Sequence, residues 1–350
     1  MPKTYLFRPK NSMLHHCSES FYKAMTLTCH FQGEADDLYY LTTVNLEKSL
    51  DLAKKVVKLN SGEKISLFFF LIQSDYLILT LILKAIAKIF SKDLKIYYMM
   101  HEPRFEKGRI NPFKASLIFI YHFLFGQLAD KILLPSDKAL FQAKTFIKSD
   151  KLYKLNLTFL SPPESLLHKN LEQLKCSWEN HKTFSLLGRI DIDKNPQGFL
   201  DLANIIHEHY PGQARFIRGG RDRNVDVPYD EELIIRFSSF LSDSAKSFLF
   251  GLTHFVVIPY SFSTQSGVLA EALSYGKLLI INDIPAFSSF KDLNFLFLVD
   301  FNDQDAILKC IHNLFSMDIY EYEKRYWQAV KYFQEHHSEN YLSKALKDIF

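Results

Sequence analysis

Two short apolar runs, FVVIP at 255–259 and LLII at 278–281, lie on either side of one helix-length segment. Neither alternates with polar residues, and both carry β-branched or long aliphatic side chains, so both read as strands buried on two faces. Between them Val268, Leu269, Ala272 and Leu273 recur at helical spacing, and Gly276 stands where a helix over 267–275 would end. Strand, helix, strand in so short a span demands a parallel crossover, and with it an α/β fold.

The loop entering that helix carries its chemistry. Ser261, Ser263 and Thr264 offer side-chain oxygens, and Gly267 lets a ligand approach the backbone. Gln265, Ser266 and Gly267 then open the helix, where amides with no intrahelical partner meet the positive end of the dipole. Such a turn is an anion site, suited to phosphate. Glu271, about one turn further, is the acidic side chain of an otherwise apolar or small segment. Its carboxylate can accept hydrogen bonds from vicinal hydroxyls such as those of a ribose. The alternative is a solvated helix residue.

These residues resemble the C-terminal domain of GT-B glycosyltransferases, of the family 4 (glycosyl transferases group 1) type. That family carries a loop, then a helix with two glutamates eight positions apart, then a small residue, glycine and a strand. Glu271-Ala272 and Tyr275-Gly276-Lys277 match the second half, whereas Ser263 stands where the first glutamate would be. The resemblance implies an α/β protein of two Rossmann-like domains with parallel sheets facing a central cleft. It also implies a ribose contact for Glu271.

The chain before this unit supports the same reading. A strand at 183–187 ends in Gly188-Arg189, followed by Asp191-Ile192-Asp193-Lys194-Asn195-Pro196 and a helix at 197–209. In the family this loop sets an Arg and a Lys against the donor diphosphate, and Arg189 and Lys194 match. Two cations opposite a helix start would neutralise two phosphates and the charge developing on a leaving nucleotide. Asp191-Ile192-Asp193 also has the D-x-D form that binds metal in another glycosyltransferase fold, but no metal is expected here. The segment 215–218 with Gly219-Gly220 reads as strand and turn, 234–241 as strand and loop, and 242–251 as a short helix. The resemblance implies base contacts near Phe240 and Leu241. Residues 318–350 read as helical, with 331–350 expected to cross back to the first domain.

The first half follows by pattern. Strands are expected at 4–7, 39–44, 64–72, 95–100 and 129–134, and helices at 46–59, 76–90, 114–127 and 137–146. The helix at 46–59 is expected to carry Leu50, Ala53 and Val57 on one face. After 4–7, where GT-B enzymes often have a Gly-rich turn, this chain offers Asn11, Ser12, His15 and His16. The apolar stretch 64–90 is interrupted by Gln73-Ser74-Asp75, with Lys84 and Lys88 in its second part, so it reads as buried strand and helix. The strand at 95–100 ends in His101-Glu102, and titratable groups at a strand's C-terminal end lie where α/β sheets bind ligands. Glu102 is a candidate general base on an acceptor hydroxyl, and His101 a candidate partner for a donor-sugar hydroxyl. The helix at 114–127 is apolar nearly all round: it is either core or in contact with lipid.

Charge divides the chain. Residues 1–165 hold 23 Lys plus Arg against 15 Asp plus Glu, and the remainder 19 against 24, within a net +3. A basic first half suits an anionic lipid or a phosphate-bearing acceptor, while the absence of a dense basic run with interleaved aromatics argues against nucleic acid. Cys17, Cys29, Cys176 and Cys310 form no C-x-x-C pair, which suggests a reducing compartment and no zinc site. His207 and His209 point in different directions on their helix and read as surface residues. The opening MPKTYLFRPK has no long apolar region, so no signal peptide is expected.

The expected organisation is an acceptor-binding domain at 1–165, a nucleotide-sugar-binding domain at 166–330, and a terminal helix. The resemblance implies transfer of a sugar from a nucleotide-sugar to a hydroxyl of a glycan or lipid-linked glycan, as in polysaccharide assembly. Neither cofactor nor metal is expected, and the location would be cytoplasmic, with possible peripheral contact at the inner membrane face. Two alternatives are a non-catalytic GT-B subunit binding a partner or glycan, to which Ser263 points, and a nucleotide-sugar epimerase. A coenzyme-dependent oxidoreductase is disfavoured because no G-x-G-x-x-G follows the first strand.

Overall fold

The computed structural model describes residues 3–7, 24, 46–58, 64–70, 74–104, 111–222, 230–263 and 266–349. The chain divides into two compact units, Met1–Leu160 with His336–Phe350, and Ser161–Glu335.

In the first unit, β1 (Lys3–Phe7), β2 (Lys64–Phe69), β3 (Asp93–Met99), β4 (Lys131–Leu134) and β5 (Leu152–Lys154) lie in chain order in one sheet. Every pairing is parallel, as in the register Leu67↔Ile96. The crossovers are helices: α1 (Leu46–Val57), α2 (Ser74–Ile89), α3 (Pro112–Leu128) and α4 (Asp137–Ala143). Pro112 opens α3 where its missing N–H costs nothing, and Asn111 accepts from the amide of Phe113. Ser136 caps α4 through the amide of Ala139. The core is aromatic, with Phe69, Tyr98 and Phe125 buried and the first two rings both packed on Phe125.

The second unit begins with a helix, α5 (Glu164–Ser177), at the boundary expected between the two domains. Pro163 stands just before it as the N-cap, and Leu167, Leu171 and Leu174 face the core. Its sheet contains β6 (Lys182–Leu187), β7 (Ala214–Gly219), β8 (Ile234–Phe237), β9 (Phe255–Ile258), β10 (Leu278–Asn282) and β11 (Leu296–Val299). The spatial order is β11-β10-β9-β6-β7-β8, all parallel. This is the doubly wound Rossmann order, whose direction reverses between β6 and β9. Between the strands run α6 (Pro196–His209), α7 (Asp243–Leu252) and α8 (Gly267–Ser274); α9 (Gln304–Phe315) and α10 (Ile319–His336) follow. The last helix, α11 (Glu339–Ile349), belongs to the first unit, where Lys131 Nζ donates to the Ile349 carbonyl at 2.8 Å.

Several local expectations are corrected. In α1 the buried residues are Leu52 and Val56, while Leu50 is 52% exposed. Apolar residues at 50, 52, 53, 56 and 57 permit two neighbouring faces, and packing selects the i, i+4 pair. The apolar helix α3 buries His122, Phe125 and Gly126 and exposes Phe113, Leu117, Ile120 and Leu124, so it is not purely core. The expected strand at 39–44 and the loop residues Asn11, Ser12, His15 and His16 lie outside the described residues. Among the described residues no helix is long and apolar enough to cross a membrane.

Candidate functional site

In a sheet of this order, ligands bind outside the carboxyl ends of the two strands flanking the reversal. Those strands are β6 and β9, and the loops leaving them carry Arg189 to Asn195 and Tyr260 to Ser266. The loops are tied together, since the Ser261 amide donates to the Asp193 carbonyl at 3.0 Å.

The first loop leaves β6 through Gly188 at φ +103, a left-handed turn that glycine alone adopts readily. A Cβ there would meet Val268 Cγ2 at 2.9 Å, so the turn lies directly on the start of α8. The Arg189 guanidinium pairs through Nε with Asp191. Lys194 Nζ stands 3.6 Å from the centre of the Tyr260 ring and 3.9 Å from Asp193 Oδ2. Asn195, itself at φ +45, caps α6 by accepting from the Gly198 amide.

The second loop ends at α8, capped by Ser266 Oγ accepting from the Leu269 amide at 3.2 Å. Tyr260, fully buried two residues past β9, sets its ring face against Lys194. Burial pushes its phenol upward, so the hydroxyl stays protonated and the cation meets a neutral ring. Ser263 is buried; Thr264 and Gln265 lie outside the described residues.

On α8, Glu271 Oε1 accepts from Lys246 Nζ of α7 at 3.1 Å. Both side chains are mostly buried, which corrects the reading of Glu271 as a solvated residue. Of the residues suggested for a base, Leu241 is buried and Phe240 is 78% exposed. Asp191 is engaged by Arg189 and Asp193 is buried beside Lys194. Among the described residues no group of three or more His, Cys, Asp or Glu side chains is placed to hold a metal.

The first unit holds a separate group at the carboxyl ends of its strands. His101 follows β3, and its Nε2 lies 3.1 Å from the Phe70 carbonyl just past β2, a bond that needs the proton on Nε2. Burial lowers its pKa to about 4, so the ring is neutral at pH 7 and Nδ1 is an acceptor. The Tyr98 hydroxyl and His122 Nδ1 are 3.0 Å apart, and burial, with repulsion from His101 where that ring is protonated, brings His122 to about 4. Glu102 is half-buried beside His101.

Sequence reasoning located Arg189, Lys194, Ser266, Gly267 and Glu271 at one end of one sheet, and the structure places them around the β6–β9 reversal. It missed Tyr260 and Lys246. Tyr260 could have been found as the residue after the proline closing a strand at the switch point. Lys246 had only one signal, a cation early in a helix, where the dipole disfavours it.

Two units, each a parallel sheet flanked by helices, give the chain the GT-B fold. Solved structures similar to it over almost the whole chain include Anabaena HepE in complex with UDP-glucose, at 12% identity and a TM-score of 0.65, covering 99% of this chain and 98% of that one. Sucrose-phosphate synthase from Thermosynechococcus elongatus is similar at 11% identity and TM-score 0.64, covering 100% and 98%. An α,α-trehalose-phosphate synthase (UDP-forming) from Burkholderia vietnamiensis matches at 8% and 0.58, covering 96% of each chain. No protein-family model and no curated protein matches the sequence.

Proposed function

We propose that this protein is a metal-independent glycosyltransferase that moves a sugar from a nucleotide-sugar donor to a hydroxyl of a glycan or lipid-linked glycan. One observation carries the reading: two cations, a capped helix start and a carboxylate gather at the switch point of one Rossmann sheet. In this reading Arg189 and Lys194 neutralise the donor diphosphate and stabilise the charge that grows as the nucleotide leaves. The amides of Ser266 and Gly267 at the start of α8 take the phosphate oxygens, Glu271 takes the ribose, and the segment at Phe240 and Leu241 takes the base. His101 offers Nδ1 to a sugar hydroxyl, and Glu102 accepts the acceptor's proton. Positive charge from side chains and a helix end serves where other enzymes use a divalent ion. The similarity to HepE, solved with UDP-glucose, supports the donor class.

The test is calorimetric titration of UDP, GDP and their sugar conjugates into the wild type and Glu271→Ala. Tight binding of one nucleotide, lost in the variant, supports the reading. A folded wild type that binds none favours the second one, a non-catalytic subunit, to which the buried Ser263 in place of a glutamate points.

For the acceptor side we propose peripheral contact with an anionic membrane, at a cytoplasmic face. Helix α3 exposes Phe113, Leu117, Ile120 and Leu124 at i, i+4, i+7 and i+11, and α2 exposes Ile78, Leu81, Ile82 and Ile89. The two helices are neighbours, and exposed Lys88 and Lys114 lie on them. Two apolar stripes carrying lysines on a basic half-chain suit a monotopic surface and a lipid-linked acceptor.

A further inference from the structure

Helices α7 and α8 meet through two pairs of side chains, each one helical turn apart on its own helix. Phe250 stacks on Tyr275 with ring centres 4.8 Å apart, and one turn towards both N-termini Lys246 Nζ donates to Glu271 Oε1 at 3.1 Å. The polar pair sits at the ligand end of the sheet, because both helices start from the carboxyl ends of strands.

Lys246 is in an unfavourable place for α7 alone. It is the fourth residue of the helix, near its positive end, where a cation is opposed by the dipole. Asp243, at 3.9 Å, offsets that only partly because it is largely exposed. The stronger partner is Glu271, so the lysine is better explained by what it does to the carboxylate than by its own helix. Held through Oε1, the carboxylate has one orientation, and among the described residues no hydrogen bond reaches Oε2. A carboxylate already fixed by an ammonium loses little freedom when it accepts a hydroxyl.

We infer that Lys246 is a positioning residue that presents Glu271 Oε2 to the sugar of the nucleotide, making the pair a reader of ribose against 2′-deoxyribose. This rests on the donor reading above.

The test titrates UDP, GDP and ADP, each with its 2′-deoxy counterpart, into wild type, Lys246→Met and Lys246→Arg, with thermal melts as a folding control. The wild type should prefer the ribose form by roughly tenfold or more, the worth of one hydrogen bond to a charged group. Lys246→Met should cut that preference below about threefold while binding the deoxy form almost unchanged, and Lys246→Arg should restore most of it. A variant that keeps the full preference overturns the inference, as does one that weakens both forms alike, which is what a purely structural role would do. A wild type that binds nucleotide without preferring ribose also overturns it. A wild type that binds no nucleotide overturns the donor reading itself, and this inference with it.

Discussion

A Cβ placed on Gly220 would stand 1.7 Å from the carbonyl oxygen of Gly188. The turns leaving β7 and β6 are therefore in backbone contact, and the second carries Arg189. Gly220 is also at φ +138, so Gly220→Ala adds backbone strain to an unavoidable clash. The variant should lose about 3 kcal/mol or more of stability in urea unfolding and bind nucleotide more weakly. Gly212→Ala is the control: its φ is +75 but nothing lies within 4 Å, so it should cost only about 1 kcal/mol and leave binding intact.

Lys277 is fully buried, its amine has no hydrogen-bond partner among the described residues, and the Tyr326 ring lies 5.3 Å away. Burial lowers its pKa from 10.5 to about 7. Between those values the unfolded chain holds a proton that the folded chain does not, so stability should rise as pH climbs from about 7 towards 10. Lys277→Met should be more stable at pH 7 by on the order of 2 kcal/mol, with a flatter profile in that window. Denaturant midpoints from pH 6.5 to 10 decide it; an unchanged slope in the variant would falsify the assignment.

His254 acts with the same sign in a lower window. Its Nδ1 accepts from the Thr183 amide at 2.9 Å, and Nε2 lies 3.2 Å from the Leu174 carbonyl, an arrangement only the neutral ring satisfies. Burial lowers its pKa to about 3. Below pH 6.5 the unfolded chain takes up a proton that the folded one refuses, so stability should fall from about pH 6.5 towards 4. Equilibrium unfolding of wild type and His254→Asn across this range should show a shallower loss in the variant, from a lower starting stability.

Arg189→Lys keeps the charge but loses the planar fork. Its affinity for a nucleoside diphosphate should fall roughly tenfold, about 1.4 kcal/mol, with little change for the free nucleoside. Equal losses for both ligands, measured by calorimetry, would place Arg189 away from the phosphates.

Leu117→Glu with Ile120→Glu should abolish sedimentation with phosphatidylglycerol vesicles while leaving the melting temperature nearly unchanged, since both positions are exposed. Wild-type binding should weaken as salt is raised. Equal binding to vesicles of neutral lipid would remove the role given to Lys88 and Lys114.

Strands β9 and β10 were legible because Phe255–Ile258 and Leu278–Asn282 are short apolar runs set off by Pro259 and Gly276, signals that act within a few residues. Arg189 and Lys194 were legible for the same reason, as a local pattern at a strand end. The pairing of Lys246 with Glu271 joins positions 25 apart along the chain, and no local pattern marks it. Helix α5 was not read, although Pro162-Pro163 stands just before it and proline tolerates a helix start well. Strand β11 and helix α9 were also unread, although Asp303 accepts from the amides of Asp305 and Ala306 as a clear start signal. In α1 the apolar residues were too many to choose a face.

The first unit takes its last helix from the far end of the chain. The Phe159 amide donates to the His337 carbonyl at 2.9 Å, Asn156 Nδ2 to His336, and Ser343 Oγ to Ala24. On the ribosome, Met1–Leu160 must wait while all of Ser161–Glu335 is made before it can receive α11. The second unit is one uninterrupted stretch and can close first, so the order of completion runs against the order of synthesis. The half with the exposed apolar helices thus stays unfinished longest in the nascent chain.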